Sequence, residues 1–456
     1  MTRKIILLVL GIVIVLYICL ALTGLLFAKQ EIKNLTIPHN SQDIENLFRK
    51  AKRIKRDVFL ARPFLKFDKN LQNKLGLIDK IIKFEPLYNE LAGISQEKTY
   101  LLVMQNNAEM RPSGGIWGSY GILKIKNGKV TSLKTDDTYN LDKELVGKFP
   151  APEEVADTIG NEWRFWNANW SPDFKVSAEQ GLFFFDQVES TTKLDGVVGP
   201  NVDYILSLLE ISGPVKLKDY SFDLDQNNFV QKMIYEPNSQ AVLAATNDDS
   251  ILVKGVKKNY ILSDIAVSIL NQAIANSQQT TLVEKTLNAL GHGDLIFYST
   301  NPAVQKEMEV VGWAGRMPSG GNFVYLADAN LGSKLDFIVE KSMKVTKTSE
   351  NRYRADLEYY NPGEKNADLI TQIFKTYRSF VRLYLPKGAK LTSEEGGQNL
   401  TEITADAQTN LDWVGATVIV KPGQKESVSF EWEVPANVAK EKIKIFKQPG
   451  SHTKLN

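Results

Sequence analysis

The chain of 456 residues contains one cysteine, Cys19, and three histidines, His39, His292 and His452. Because Cys19 lies inside a long apolar run, the rest of the chain has no disulfide and no cysteine metal ligand. Three scattered histidines do not supply a structural zinc site, and the lack of a nucleophile-elbow motif disfavours a serine hydrolase. A formal net charge of +2 gives no electrostatic reason to expect nucleic acid as a partner.

The apolar run, Ile5–Phe27, has no charged residue and no proline. A helix of this length spans a bilayer core of about 30 Å. Arg3 and Lys4 precede it and favour a cytoplasmic N-terminus with the remainder exported, although basic residues also follow the run. The sequence therefore predicts an uncleaved single-pass anchor in the cell membrane. A cleaved signal peptide is the competing interpretation, but Phe27-Ala28-Lys29 is a poor cleavage site; a cytoplasmic C-terminal part is a further alternative.

Hydrophobic periodicity predicts the rest of the organisation. A transmembrane anchor (1–28) precedes a helical stalk (29–96) with two amphipathic helices. Alternating strand and helix patterns over 97–335 predict a layered α/β domain, with a hairpin turn at Asn127-Gly128 and helices at 177–189, 201–211 and 282–290. Short alternating segments between turns such as Asn361-Pro362-Gly363 predict a β-sandwich over 336–438, followed by a basic, frayed tail at 439–456.

One polar, glycine-rich turn follows the apolar strand that begins at Tyr100. It carries the candidate ligand-binding residues Asn107, Glu109 and Arg111, followed by Gly114 and Gly115. An arginine fork suits phosphate or carboxylate, and glycines let the backbone approach a ligand. A structural clamp between arginine, glutamate and the backbone is an equally good interpretation.

Two further groups supply candidate residues. Asp136 and Asp137 end a strand, and Asp137 is a candidate Mg²⁺ ligand, although an acidic turn is the commoner meaning of such a pair. The segment Trp163–Phe174 holds three tryptophans beside amide and carboxylate groups, and its candidate ligand-binding residues are Asn169, Trp170 and Asp173. Such a loop suits sugar rings or isoprenoid chains, or it closes the core.

Lys258, with its neighbours Lys254 and Lys257, precedes a predicted helix at 263–276. Its ammonium group is a candidate contact for an anion. An exposed loop lysine is the alternative.

Several of these segments together resemble a bacterial family catalogued as domain of unknown function 4012. The segments are QNNAEMRPSGG (105–115), NANWSPDF (167–174), DGVVG (195–199), GWAG (312–315), ANLGSKLD (329–336) and YRSFVRLYLPKG (377–388). Members of that family have no settled activity, and a single N-terminal membrane helix is typical of them.

Residues 99–275 also resemble, more remotely, the LytR-CpsA-Psr family. That resemblance implies transfer of wall polymers from a polyprenyl-pyrophosphate carrier, with Mg²⁺, aspartates and arginines at the site. Asp137-Thr138-Tyr139 is similar to that family's Arg-Asp-Thr-Tyr segment, but Asp136 stands where its arginine is expected. The later Arg-Gln pair is absent as well, with only Lys257 and Lys258 nearby, so guanidinium groups that would hold pyrophosphate are missing.

Two functions follow as predictions for an extracytoplasmic protein of the cell envelope. The first is a non-catalytic binding or scaffold module on a LytR-CpsA-Psr-like core. The second is a divergent Mg²⁺-dependent phosphotransferase or polyprenyl-pyrophosphate binder that acts in wall-polymer attachment. The expected ligands are a polyprenyl-phosphate lipid or a wall glycan.

Overall fold

The computed structural model describes residues 41–59, 69–151, 153–156, 159–216, 222–235, 279–363, 376–406 and 408–456, with six single positions elsewhere. These residues belong to two compact units. The first comprises Met1–Lys98 with Ile125–Thr131, and the second comprises Thr99–Lys124 with Ser132–Asn456.

The first unit contains helices α1 (Ser41–Asp57) and α2 (Lys69–Leu91). The apolar face predicted for α1 is the face that packs, since Phe48 is buried and its ring lies 5.6 Å from that of Tyr88. Ion pairs on the polar side join Lys52 to Glu85 at 2.6 Å. None of the helices in the described ranges has the length and apolar character of a membrane span. The predicted anchor at 1–28 lies outside those ranges except at positions 23 and 28.

The second unit holds most of a five-stranded sheet in the order β3-β2-β1-β4-β7. Its strands are β1 (Lys98–Asn106), β2 (Ile116–Lys126), β3 (Lys129–Asp137), β4 (Gly196–Pro200) and β7 (Leu295–Ser299), and a small hairpin, β5 (Val215–Lys216) with β6 (Asp223–Leu224), stands apart. The central pair β1–β4 is parallel, whereas β4–β7 is antiparallel.

Helices surround this sheet. They are α3 (Thr138–Glu144), α4 (Glu153–Ala156), α5 (Phe174–Val188), α6 (Val202–Ser212), α7 (Gln279–His292) and α8 (Pro302–Val311). The helices predicted at 177–189, 201–211 and 282–290 are therefore present, and the one predicted at 263–276 lies outside the described residues except at two positions. Buried aromatic side chains such as Trp117, Phe165 and Phe174 fill the space between α5 and the sheet.

Two more five-stranded sheets form a strand-rich C-terminal region, in the orders β12-β15-β10-β9-β17 and β13-β14-β11-β8-β16. Their strands are β8 (Phe323–Asn330), β9 (Glu340–Lys347), β10 (Arg352–Tyr360), β11 (Tyr377–Leu385), β12 (Lys390–Gly396), β13 (Thr404–Asp406), β14 (Leu411–Val420), β15 (Lys425–Glu433), β16 (Lys444–Lys447) and β17 (Lys454–Leu455). Buried side chains from both sheets, such as Leu383 and Phe430, share one hydrophobic core. The predicted mixed α/β fold with a strand-rich C-terminal region is confirmed.

Two predicted boundaries need correction. The apolar strand Phe323–Ala327 is predicted to belong to the α/β domain, but β8 pairs with β11 in the C-terminal sheet, with Phe380 opposite Ala329. The supposed tail at 439–456 is also not frayed. The short helix α9 (Ala436–Ala439) ends at its first residue. Further on, β16 pairs with β8 and β17 pairs with β9, both in parallel. Hydrogen bonding to a strand edge thus orders these lysine-rich residues.

Candidate functional site

The polar turn predicted after β1 is a close-packed loop. Its backbone closes through bonds from the amide of Glu109 to the carbonyl of Asn106 and from that of Ile116 to the carbonyl of Glu109, at 3.1 and 2.9 Å. Gly115 has φ +141°, and a Cβ there would lie 2.6 Å from the amide nitrogen of Asn107. Only glycine fits at this position, because a side chain would collide with the backbone on the other side of the turn.

Arg111 is buried beneath this turn and has most of its donors engaged. Its Nε donates to Asn167 Oδ1 at 3.0 Å, and its Nη1 donates to the carbonyls of Met110 and Asn330 at 3.2 and 2.7 Å. Nη2 donates to Glu109 Oε1 at 3.3 Å. Burial lowers the pKa of Arg111, and the Glu109 carboxylate partly offsets that effect. Four of the five guanidinium N–H groups therefore hold the fold together.

A cavity of about 490 Å³ opens beside this turn. It lies beyond the carboxyl ends of β1 and β3, next to the first four residues of β2 and the N-terminal half of α6. Its polar wall includes Gln105, Asn106, Glu109, Arg111, Ser119, Asp137, Thr138 and Tyr139, and its apolar wall includes Met104, Ile116, Val202, Ile205, Phe229, Met233 and Ile234. We call this space the β1 cavity. A cleft with one apolar wall and a few convergent polar groups is the usual form of a small-molecule site.

Asp137 reaches the β1 cavity from the end of β3. Its backbone is extended, and its Oδ1 accepts from the amide of Tyr139 at 2.9 Å, so it is the N-cap of α3. Cap residues use one carboxylate oxygen for the backbone. The cap does not use the other oxygen, Oδ2.

An aromatic pair borders the same cavity. Tyr139 stacks on Trp166 with ring centroids 6.4 Å apart, and the guanidinium carbon of Arg111 lies 5.8 Å from the Trp166 ring centroid. Desolvation raises the pKa of Tyr139, and the carboxylates of Glu109 and Asp137 raise it further. The Tyr139 hydroxyl therefore stays protonated at neutral pH and can donate a hydrogen bond.

The structure brings Glu109, Arg111 and Asp137 to one cavity. The predicted residues Asn107, Asn169, Trp170 and Asp173 do not line it. Asn107 Nδ2 donates to Asp203 Oδ2 and to the carbonyl of Gly450, at 2.6 and 3.0 Å. Its Oδ1 accepts from the amide of Val202 at 3.1 Å, so it ties α6 to the turn and to the C-terminal segment.

The predicted residues of the tryptophan loop also have structural contacts. Asn169 Nδ2 donates to the carbonyl of Gly115 at 2.6 Å and supports the turn. Asp173 is the N-cap of α5, and it lies 3.2 Å from Nη1 of Arg316. Trp170 lines a second, smaller cavity. Lys258 lies outside the described residues.

The apolar wall was not foreseen from the sequence. Phe229, Met233 and Ile234 come from a segment that includes a π-helical turn, Val230–Tyr235, and that packs against α6. A single π-turn shows neither the period of an α-helix nor that of a strand, so the sequence pattern there gave no signal.

Metal binding depends on the two carboxylates. Among the described residues there is no cluster of three or more His, Cys, Asp or Glu side chains that could hold a metal ion. Glu109 and Asp137 both line the β1 cavity. Mg²⁺ is commonly held by one or two carboxylates with phosphate oxygens and water as the other ligands. The residues present therefore fit Mg²⁺ only together with a phosphate-bearing ligand.

No curated protein and no solved structure matches the chain. Residues 95–237 match the model of a family described as "Protein of unknown function (DUF4012)". The matched range runs from the start of β1 to the π-helical turn and contains every residue of the β1 cavity except Leu331, Gly332 and Lys334. Over these residues the chain is similar to the DUF4012 family.

Proposed function

We propose that this protein is a non-catalytic binding module of the cell envelope and that the β1 cavity takes a single-chain amphiphile of the polyprenyl-phosphate type. The observation that carries the proposal is the division of one cavity into an apolar wall, with Met104, Phe229 and Met233, and a polar wall, with Glu109 and Tyr139. Its volume of about 490 Å³ falls within the range of small-molecule sites.

Each wall accounts for one end of such a ligand. Burial of an isoprenoid chain against the apolar wall contributes about 25 cal/mol for each Å² removed from water. The polar end would meet the Tyr139 hydroxyl, which donates a hydrogen bond, and the carboxylates of Glu109 and Asp137. A phosphate group and the two carboxylates are all negatively charged and repel one another, so a phosphate would bind there better with a divalent cation than alone.

The burial and the hydrogen bonds of the Arg111 guanidinium group favour binding without catalysis. Phosphoryl transfer needs positive groups directed at the charge that develops on the leaving oxygens. Arg111 is 1% exposed and gives four N–H groups to the protein, two of them to main-chain carbonyls. Its first role is therefore to hold the turn.

The alternative is a divergent Mg²⁺-dependent phosphotransferase or polyprenyl-pyrophosphate binder. One observation favours it: Glu109, Arg111 and Asp137 line the same cavity. In that case Asp137 and Glu109 would hold Mg²⁺ together with the pyrophosphate, and the metal would neutralise charge on the leaving group.

The place in the envelope is part of the proposal. It is supported by the uncharged run Ile5–Phe27, which has the length of a membrane-spanning helix, and by the helical pair α1–α2 that follows it in the chain. The remote resemblance to the LytR-CpsA-Psr family points in the same direction.

Thermal unfolding of the full chain in lipid nanodiscs tests the proposal. We would compare farnesyl pyrophosphate, farnesol and inorganic pyrophosphate, each with Mg²⁺ and with EDTA. An amphiphile site predicts that farnesyl pyrophosphate raises Tm more than either half of the molecule does, because only it contacts both walls. Equal changes in Tm with all three compounds, or no change with any of them, would contradict the proposed amphiphile site.

Two matched pairs of variants locate the response. Met233→Trp narrows the β1 cavity, whereas Gln231→Trp adds the same ring at an exposed position of the same turn. Only Met233→Trp should abolish the shift. Asp137→Asn keeps an N-cap and removes a metal ligand, and Asp136→Asn is its control beside the cavity.

The same variants separate binding from chemistry. Release of pyrophosphate or transfer of a phosphoryl group to water or a glycan acceptor, lost in Asp137→Asn and kept in Asp136→Asn, would replace the binding proposal with the alternative. Binding without turnover supports the proposal as stated.

A further inference from the structure

A second cavity, of about 250 Å³, lies where the tryptophan loop meets the C-terminal sheet. The residues that line it are Trp163, Ala168, Trp170, Ser171, Val176, Gln180, Arg382, Ala405, Asp406 and Gln408. None of them lines the β1 cavity. We call this space the tryptophan-loop cavity.

Arg382 gives this cavity a buried positive charge. The side chain is 3% exposed, and its Nη2 donates to the carbonyl of Trp170 at 2.8 Å. Its guanidinium carbon lies 5.3 and 5.7 Å from the ring centroids of Trp170 and Trp413. Across the described ranges no carboxylate lies within 4.0 Å of it as an ion-pair partner. A buried charge without an opposite charge is costly, so an anion is the expected complement.

Two buried donors at this cavity have no acceptor among the residues that the structure describes. They are Nε of Arg382 and Nε1 of Trp170, whose side chain is 4% exposed. A buried donor left unsatisfied costs about 1–3 kcal/mol, and native proteins rarely keep one without a reason. Two such donors on one small cavity indicate a ligand that is rich in acceptor oxygens.

The other polar groups of the cavity suit hydroxyls. Asp406 uses Oδ1 to accept from the amides of Gln408 and Thr409, at 2.8 and 3.2 Å, which leaves Oδ2 as an acceptor. Gln180 adds an amide that can donate and accept. The indole of Trp163 adds an apolar surface to the lining of the cavity. A ring that carries both hydroxyls and one carboxylate matches this set.

We infer that the tryptophan-loop cavity binds one acidic sugar residue of the hexuronate type, with its carboxylate against Arg382 and Trp170. The hydroxyls meet Asp406 and Gln180, and the sugar ring lies on Trp163. A neutral hexose has the same shape but leaves the charge of Arg382 unpaired. Inorganic phosphate pairs that charge but leaves the indole and the hydroxyl partners unused. This inference does not depend on the proposed ligand of the β1 cavity.

Calorimetric titration of the full chain in nanodiscs tests it with four probes: glucuronate, galacturonate, glucose and acetate, at constant ionic strength. We expect saturable millimolar binding of at least one uronate, with glucose and acetate weaker by about tenfold or more, because each lacks one half of the recognised groups. A tri-galacturonate titrated alongside shows whether the site takes a residue within a polymer.

Arg382→Met removes the buried charge but also risks unfolding the protein. Variants at the rim of the cavity test the inference without that risk. Gln180→Trp fills the cavity from its partly exposed side, and Glu179→Trp places the same side chain on the exposed neighbouring position. Uronate binding should be lost in Gln180→Trp and kept in Glu179→Trp. Failure of both uronates to bind, equal binding of glucose, or unchanged binding in Gln180→Trp would overturn the inference.

Discussion

Nη1 of Arg111 lies 2.7 Å from the main-chain carbonyl oxygen of Asn330, so the turn of the β1 cavity is fastened to the last residue of β8. The amide of Asn330 in turn donates to the carbonyl of Met110 at 2.9 Å. The α/β part and the strand-rich part of the second unit are thus joined directly beneath the candidate site. The shape of that site therefore depends on the C-terminal sheet.

Replacement of Arg111 by methionine tests this connection. The change leaves the buried Glu109 carboxylate and the carbonyls of Met110 and Asn330 without their donor, and removal of one partner of a buried charged pair costs about 3–5 kcal/mol. Urea unfolding should show this loss for Arg111→Met. The exposed Arg378→Met provides the control, and a similar small change in both variants would contradict the clamp.

A second buried network lies between the two C-terminal sheets. Lys341 Nζ lies 2.7 Å from Asp336 Oδ1 and 3.4 Å from Asp328 Oδ2, and all three side chains are almost fully buried. Burial lowers the pKa of Lys341, but the charges of Asp336 and Asp328 outweigh it, so the pKa is raised. A raised folded-state pKa stabilises the protein below the unfolded value and loses that contribution as the pH rises through the folded value.

Lys341→Met should therefore lower the free energy of unfolding by about 3–5 kcal/mol at pH 7, because two carboxylates remain buried without their cation. Lys344→Met, at an exposed position of the same strand, is the matched control. The difference between the two variants should shrink above about pH 10.5, where the wild-type lysine begins to lose its advantage. A difference that is absent at pH 7 would show that the ion pairs do not stabilise the fold.

The C-terminal segment touches the turn of the site at Gly450. This residue has φ +69°, and a Cβ on it would lie 2.9 Å from both Asn201 Nδ2 and the carbonyl oxygen of Gly114. Gly423 has a similar φ of +74° with open space around it. Gly423→Ala should cost about 1–2 kcal/mol for the left-handed backbone alone. Gly450→Ala should cost at least about 1 kcal/mol more through the clash, as measured by Tm, and equal losses would argue against close packing there.

The raised pKa of Asp142 predicts that the stability of the protein depends on pH. Burial raises its pKa to about 6, although the amides of Phe165 and Trp166 act in the opposite direction. A raised pKa contributes stability below the unfolded value of about 3.9, and this contribution disappears as the pH rises through about 6. The Tm of wild type relative to Asp142→Asn should therefore fall between pH 4 and pH 7. A constant difference across that range would contradict the raised pKa.

The sequence predicted the elements whose signals are local. Each of these signals comes from residues inside the element itself. Examples are the helical period of α5 and α6, the Asn127-Gly128 hairpin turn and the alternation of apolar and polar residues in β10 and β15. Arg111 and Asp137 line the same cavity because β1 and β3, which are separated in the sheet by β2 alone, both end there.

What the sequence did not predict depends on distant partners. The strand β8 reads like any buried strand, and only its pairing with β11, about fifty residues later, places it in the C-terminal sheet. The lysine-rich residues of β16 pair in parallel with β8, which no local pattern reveals. In the same way Asn107 and Asp173 look like ligands in isolation, but their polar atoms are used by Val202, Gly450 and Arg316.

Photochemical labelling tests most directly whether an amphiphile binds in the β1 cavity. The full chain in nanodiscs would be irradiated with an isoprenyl pyrophosphate that carries a diazirine at the distal end of its chain, and the labelled peptides would be identified by mass spectrometry. Labels are expected on the apolar wall, within Phe229–Ile234 or at Ile205, and excess farnesyl pyrophosphate should prevent them. Labels that fall only outside the lining of the β1 cavity, or that farnesyl pyrophosphate does not prevent, would contradict the proposed amphiphile site.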